Sequence, residues 1–270
     1  MGKKKVTTTV TTTVTEEIIS SNEKTQIICI LDRSGSMSEN GVIYEAINGF
    51  NNFLKDQRKL KDNATITVTL FDDRFEMLYD DVPVNNVKDI TYDTWTPRGM
   101  TALYDAIGKT VNTVRAHHKT LGVEKPAKVL VCIVTDGKNN ASHEYTKDGI
   151  RSLIQQCEGE NWNFVYLAAN QSAFEVGTSF GVSGGNTYSF AATGAGANAM
   201  SGVMNMVSTS YRSMSTSDQH FKSRSKSLID NQEDEKNPQD FSNGTITTDG
   251  TNVCYTSNNA NTVVDLKDQK

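Results

Sequence analysis

Ile27-Ile28-Cys29-Ile30-Leu31-Asp32-Arg33-Ser34-Gly35-Ser36 is an apolar run that ends in one carboxylate and two hydroxyls at alternate positions. Five consecutive apolar residues bounded by polar ones read as a strand buried on both faces, as in parallel sheets. Side chains alternate along an extended chain, so Asp32, Ser34 and Ser36 share one side, and a turn at Gly35 lets their oxygens converge on one point. Oxygen clusters suit hard divalent cations, and Mg2+ in particular takes few carboxylates and keeps several waters.

Outward from this stretch, the period of the apolar pattern switches repeatedly. Residues 42–60 carry Ile43, Ile47, Phe50 and Leu54 on one helical face. Residues 64–71 and 74–79, joined through Asp72-Asp73, predict a hairpin and one antiparallel edge. A helix over 101–118, with Leu103, Ile107, Val111 and Val114 inward, precedes the strand Lys128-Val129-Leu130-Val131-Cys132-Ile133-Val134-Thr135, which closes on Asp136-Gly137. The unit repeats as a helix over 147–157 and a strand over 162–168, then a strand near 187–190 and a helix over 198–214. Strands alternating with helices predict an α/β fold, a Rossmann-like doubly wound and mostly parallel sheet with helices on both faces and right-handed crossovers.

A hydroxyl at Thr101, within Pro97-Arg98-Gly99-Met100-Thr101, and the strand-end carboxylate of Asp136 complete a pattern with Asp32, Ser34 and Ser36. Over residues 25–214 the chain thereby resembles the von Willebrand factor A family. The resemblance implies strand order 3-2-1-4-5-6 and a metal-ion-dependent adhesion site formed by Asp32, Ser34, Ser36, Thr101 and Asp136. It implies Mg2+ or Mn2+ as the ion and, as partner, a protein presenting Asp or Glu to it. In such a sheet the ligand crevice lies beyond the carboxyl ends of the first and fourth strands, where the order reverses. Asp32 and Asp136 end those two strands, and adjacent strands lie about 4.8 Å apart. Arg98, Lys138 and Asn139 would then lie on the rim that meets the partner.

Other readings of the same residues stand beside this one. Asp32, Ser34, Ser36 and Thr101 are each good helix caps, and Asp136-Gly137 is a good turn. A site closed around its ion would only brace loops. Ser34, Asp136 and His143 follow the Ser, Asp, His order of α/β-hydrolases, but the G-x-S-x-G elbow would need glycine at position 32, and Asp136 and His143 are close in sequence for separate triad members. A phosphatase with an Asp32 nucleophile would want a second aspartate at position 34. The expectation is a binding protein and not an enzyme. Gly194-Ala195-Gly196-Ala197-Asn198-Ala199 fits a dinucleotide fingerprint but lies at the last strand-to-helix turn instead of the first, and reads as a helix entry. His117 and His118 read as a helix C-terminus, and Met200, Val203, Met204, Val207, Tyr211 and Met214 as a core stripe.

The bulk properties fit one domain with appendages in 270 residues. A net charge of −5 with both signs interspersed gives no reason to expect nucleic acid. Four cysteines, Cys29, Cys132, Cys157 and Cys254, have no C-x-x-C spacing, which favours a reduced, cytoplasmic setting. No apolar run approaches the ~20 residues of a membrane span, and Met1-Gly2-Lys3-Lys4-Lys5 is followed by a Val-Thr tract instead of a signal peptide's apolar segment. Residues 1–20 are expected as a disordered threonine-rich arm, 21–214 as the domain, and 215–270 as a polar, largely disordered tail with a small hairpin between Asn243-Gly244 and Asp249-Gly250.

Overall fold

In a computed structural model of the chain, residues 23–122, 125–169, 172–190 and 194–228 are described, with four short strands beyond them. The expected arm at 1–20 and the turn residues 249–250 lie outside the described residues. The elements run β1 (Thr25–Asp32), α1 (Val42–Gln57), β2 (Ala64–Phe71), β3 (Phe75–Pro83), α2 (Leu103–Leu121), β4 (Lys128–Thr135), α3 (Lys147–Glu158), β5 (Trp162–Ala169), α4 (Ala173–Ser179), β6 (Thr187–Phe190), α5 (Gly194–Ser213), α6 (Phe221–Arg224) and β7 (Gln239–Asp240). The sheet order is β3-β2-β1-β4-β5-β6-β7. Within it only β3 is antiparallel, paired to β2. This is the expected 3-2-1-4-5-6 order with β7 added beyond β6.

The alternation of the buried strands builds two cores. From β1, Ile27, Cys29 and Leu31 join Leu130, Cys132 and Val134 of β4 under α1 and α5. Ile28 and Ile30 join Val129, Val131 and Ile133 on the other face, under α2, α3 and α4. Full burial of each such side chain contributes about 1.5–3 kcal/mol, so a register slip of one residue would exchange the two faces against helices they do not fit. The expected helix faces are found. Ile43, Ile47, Phe50 and Leu54 of α1 and Leu103, Ile107, Val111 and Val114 of α2 are buried, and so is the methionine stripe of α5. The glycine-rich stretch from Gly194 is the first turns of α5 itself. No helix among the described residues is long and apolar enough to cross a membrane.

Three expectations are corrected. The domain does not stop at Met214: Thr216 binds Glu23 through its main-chain N–H and its hydroxyl, Phe221 packs 5.8 Å from Tyr211, and Leu228 N–H donates to Asn186 Oδ1. Two apolar anchors in a polar stretch suffice because Ser215 and Thr216 bond Glu23 and the Ser225 carbonyl accepts from Asn163 and Asn186. His118 lies in the last turn of α2 as expected, but its side chain is buried 2.6 Å from Gln26 Oε1 and beside Trp162 instead of facing the helix end, while His117 lies 3.3 Å from Asp80. The predicted hairpin has a third strand: β8 (Gly244–Thr248), β9 (Val253–Ser257) and β10 (Val263–Asp265) form an antiparallel sheet.

One feature marks each end of the sheet, the upper being where β1 and β4 finish. The segment after β3 runs along α1: Arg58 donates to Val87 O and Asp89, Asn51 makes a two-way pair with Ile90, and Tyr44 stacks on Tyr92 at 5.1 Å. Positions 44, 51 and 58 are seven apart, one side of the helix. At the lower end, Lys128 opens β4 fully buried and donates from Nζ to the carbonyls of Arg212 and Met214, where α5 ends.

Candidate metal centre

Asp32 is the last residue of β1 and is fully buried. Its Oδ1 accepts the Ser34 N–H at 2.7 Å and its Oδ2 accepts the Thr135 hydroxyl at 2.5 Å. Ser34 Oγ lies 3.0 Å from Ser36 Oγ, and Ser36 Oγ donates to Asp136 Oδ1 at 2.8 Å. Thr101 enters the same cluster beside Gly137: a Cβ at that glycine would stand 3.0 Å from Thr101 Oγ1 and 3.6 Å from Ser36 Oγ. All five residues of the sequence pattern are thus brought together, at the crevice between β1 and β4, which pair in register up to Leu31 and Val134.

The main chain sews three loops into this arrangement. Gly35 N–H donates to Gly99 O, Arg98 N–H to Arg33 O, and Ala102 N–H to Asp72 O. Asn140 Oδ1 accepts the Thr101 N–H, and the N–H groups of Asn140 and Ala141 return to Thr101 O. Trp95, buried edge-on to Phe50, donates its indole N–H to Asp32 O at 2.8 Å. The capping alternative does not describe these hydroxyls. Ser34 starts a 3-10 turn over Gly35–Gly41 with no side-chain cap, and α2 is entered through Ala102, also uncapped by a side chain.

Burial pushes the Asp32 carboxyl up to about 7; bonds from Thr135 and Ser34 oppose the shift and the charge of Asp136 adds to it. Burial also raises Asp136, against the pull of its bond from Ser36. Two carboxylates therefore share a cluster whose other side chains are neutral hydroxyls, an arrangement that a divalent cation would neutralise. The donor chemistry fits a hard ion: five oxygen-bearing side chains, no sulfur, no imidazole. Among the described residues no group of three His, Cys, Asp or Glu side chains offers a softer site.

The three rim residues have separate fates. Lys138 is exposed beside Gly137. Asn139 turns inward and accepts the Ser142 hydroxyl, and Arg98 Nε donates to the buried Asp72 at 2.5 Å. Sequence reasoning missed Thr135, whose signal was a hydroxyl at the end of an otherwise apolar strand. It also missed Tyr44, Tyr92 and Met100, the exposed large hydrophobic residues among those described, at 57%, 40% and 55% exposure. All three sit at this end: Tyr44 in the first turn of α1, Tyr92 against it, and Met100 beside Thr101. The hydrolase arrangement is not assembled around Ser34, whose hydroxyl meets Ser36, while His143 is exposed and held through its N–H by Asp105.

No family model matches the chain, and no curated protein matches it. Among solved structures it is similar to proximal thread matrix protein 1 from the mussel byssus with a zinc-occupied MIDAS motif, at 16% identity over 69% of this chain and 46% of that one, with a TM-score of 0.49. It is similar to a von Willebrand factor type A protein from Catenulispora acidiphila, at 15% identity over 68% and 42% with a TM-score of 0.47. A third likeness is to the manganese-loaded TRAP protein of Plasmodium vivax, at 20% identity over 54% and 57% with a TM-score of 0.44. The chain spans less than half the length of the mussel and Catenulispora chains.

Proposed function

We propose that this chain is a binding module that holds Mg2+ or Mn2+ at Asp32, Ser34, Ser36, Thr101 and Asp136, and through it an Asp or Glu side chain of a partner protein. The observation that carries this reading is the convergence of two carboxylates and three hydroxyls from three loops, Ser36 bonding Asp136 across 100 residues of chain. Asp32 and Asp136 would supply the charge, and the three hydroxyls would supply neutral oxygens that leave the ion electrophilic. A divalent ion so held supplies a coordination position that a partner's carboxylate can take in place of water. Thr135 and the Ser34 N–H fix the Asp32 carboxylate, so that its oxygens are aimed before anything binds. Tyr44, Tyr92 and Met100 would give the partner apolar contact around the acidic residue, with Lys138 at the edge. Binding and not catalysis is favoured because Ser34 has a hydroxyl neighbour where a nucleophile needs a base. Neither nucleic acid nor membrane is part of this reading.

The test is calorimetric titration of Mg2+ and Mn2+ into metal-free protein, with Asp32→Ala and Thr101→Ala alongside, followed by acetate or a glutamate-rich peptide. The reading expects metal binding in the wild type, its loss in both variants, and carboxylate binding only in the presence of metal. Metal binding without carboxylate binding would leave a closed, loop-bracing ion; no metal binding in the wild type would overturn the proposal.

A further inference from the structure

Asp32, Ser34 and Ser36 face the cluster, so the intervening Arg33 must face away from it. Its side chain is 4% exposed, with Nη1 donating to Glu76 Oε2 at 2.7 Å and Nε 3.7 Å from Asp72 Oδ2. Nε and Nη2 have no hydrogen-bond partner among the described residues. Arg98 reaches the same Asp72 oxygen from the Thr101 loop. The Asp72 carboxylate is fully buried, its Oδ1 accepts the Arg74 N–H, and its main-chain carbonyl accepts the Ala102 N–H. One residue therefore touches the loop that follows β1, the loop that carries Thr101 and the β2–β3 turn.

We infer that Asp72 is a positioning residue for the ion cluster: its charge holds two arginines that would otherwise repel each other, and so keeps Ser34 and Ser36 in register with Thr101. The inference rests on the ion-binding reading above. Arg33 cannot swing into water, because it is buried and its backbone is bonded at both ends, N–H to Phe71 O and carbonyl to the Arg98 N–H. With a neutral residue at position 72 the half-exposed Arg98 is the group free to leave, and its departure loosens the Gly99 to Ala102 segment. Gly99 is adapted to this neighbour. It has φ +66°, and a Cβ there would collide with the Asp73 carboxylate and approach Asp72 Cβ at 3.4 Å.

The experiment compares wild type with Asp72→Asn and with Arg98→Gln, the milder change at a half-exposed side chain, by Mn2+ titration calorimetry and by amide hydrogen exchange of the metal-free proteins. Loss of about tenfold or more in Mn2+ affinity is expected for Asp72→Asn, as for other residues that orient ligands, with a smaller loss for Arg98→Gln. The amides of Arg98 and Ala102 should exchange faster in both, and those of β4 and β5 should not. Affinity within twofold of wild type in both variants, with exchange faster across β2 and β3 alone, would reduce Asp72 to a structural residue and overturn the inference. A wild type that binds neither Mn2+ nor, in the same titration, Mg2+ would overturn the ion-binding reading, and with it any role in metal affinity. The exchange of Arg98 and Ala102 would still decide whether Asp72 holds the loop.

Discussion

At Gly137 a side chain would press on the cluster. A Cβ there would stand 3.0 Å from Thr101 Oγ1, tighter than ordinary contact, and 3.6 Å from Ser36 Oγ, so Gly137→Ala should displace the Thr101 hydroxyl. Mn2+ affinity is expected to drop about tenfold while thermal stability changes little, because the residue lies outside the core. Thr135→Val keeps the shape of the strand but takes one of two hydrogen bonds from the buried Asp32 carboxylate. In chelator, chemical denaturation should show a loss of about 1–3 kcal/mol. Residues of these two kinds were unequally legible in the sequence. Alternation alone set Asp32, Ser34 and Ser36 on one side, and Thr101 and Asp136 were reached through a family pattern. Thr135 bonds a residue 103 positions away, and no local period records a contact made only when β1 and β4 lie side by side.

Among the elements, those with a clear period were read within a few residues of their bounds, because each long helix has one buried face and each central strand has two. α4, the 3-10 turn and the segment laid along α1 have no such signature: their order comes from partners elsewhere. Asn51 shows the point, since it completes both the donor and the acceptor of Ile90 as a neighbouring strand would. Asn51→Ala should lower stability by about 1–3 kcal/mol in urea denaturation, and should raise hydrogen exchange at Ile90 more than at β1. At the other end, β4 begins on a lysine whose ammonium group is buried against the end of α5, and burial depresses it to about 8. Between about 8 and the ordinary lysine value near 10.4 the unfolded chain holds the extra proton, so this group adds stability as pH rises through that window and withdraws it below. Stability measured from pH 7.5 to 10 should therefore climb more steeply in wild type than in Lys128→Met.

As a whole, the molecule keeps its cluster at one end of a sheet whose other end is tied by Glu23, Lys128 and the segment after α5. Polar composition made residues 215–228 look like tail, but Phe221 and Leu228 are buried and the first of them packs on Tyr211. Each contributes about 1.5–3 kcal/mol of burial, so a chain ended after Met214 should melt several degrees lower by calorimetry and still bind Mn2+, because Phe221 and Leu228 make their contacts with Tyr211 and Asn186 and not with the cluster. The chain has two tryptophans, and the fold sets them at opposite ends: Trp95 hangs from the Asp32 carbonyl, and Trp162 opens β5 beside His118. The protein thus has a natural optical reporter at each end. In Trp162→Phe the emission comes from the indole bonded to the first proposed ligand, and its colour should move with metal; in Trp95→Phe it should stay still until the fold itself opens.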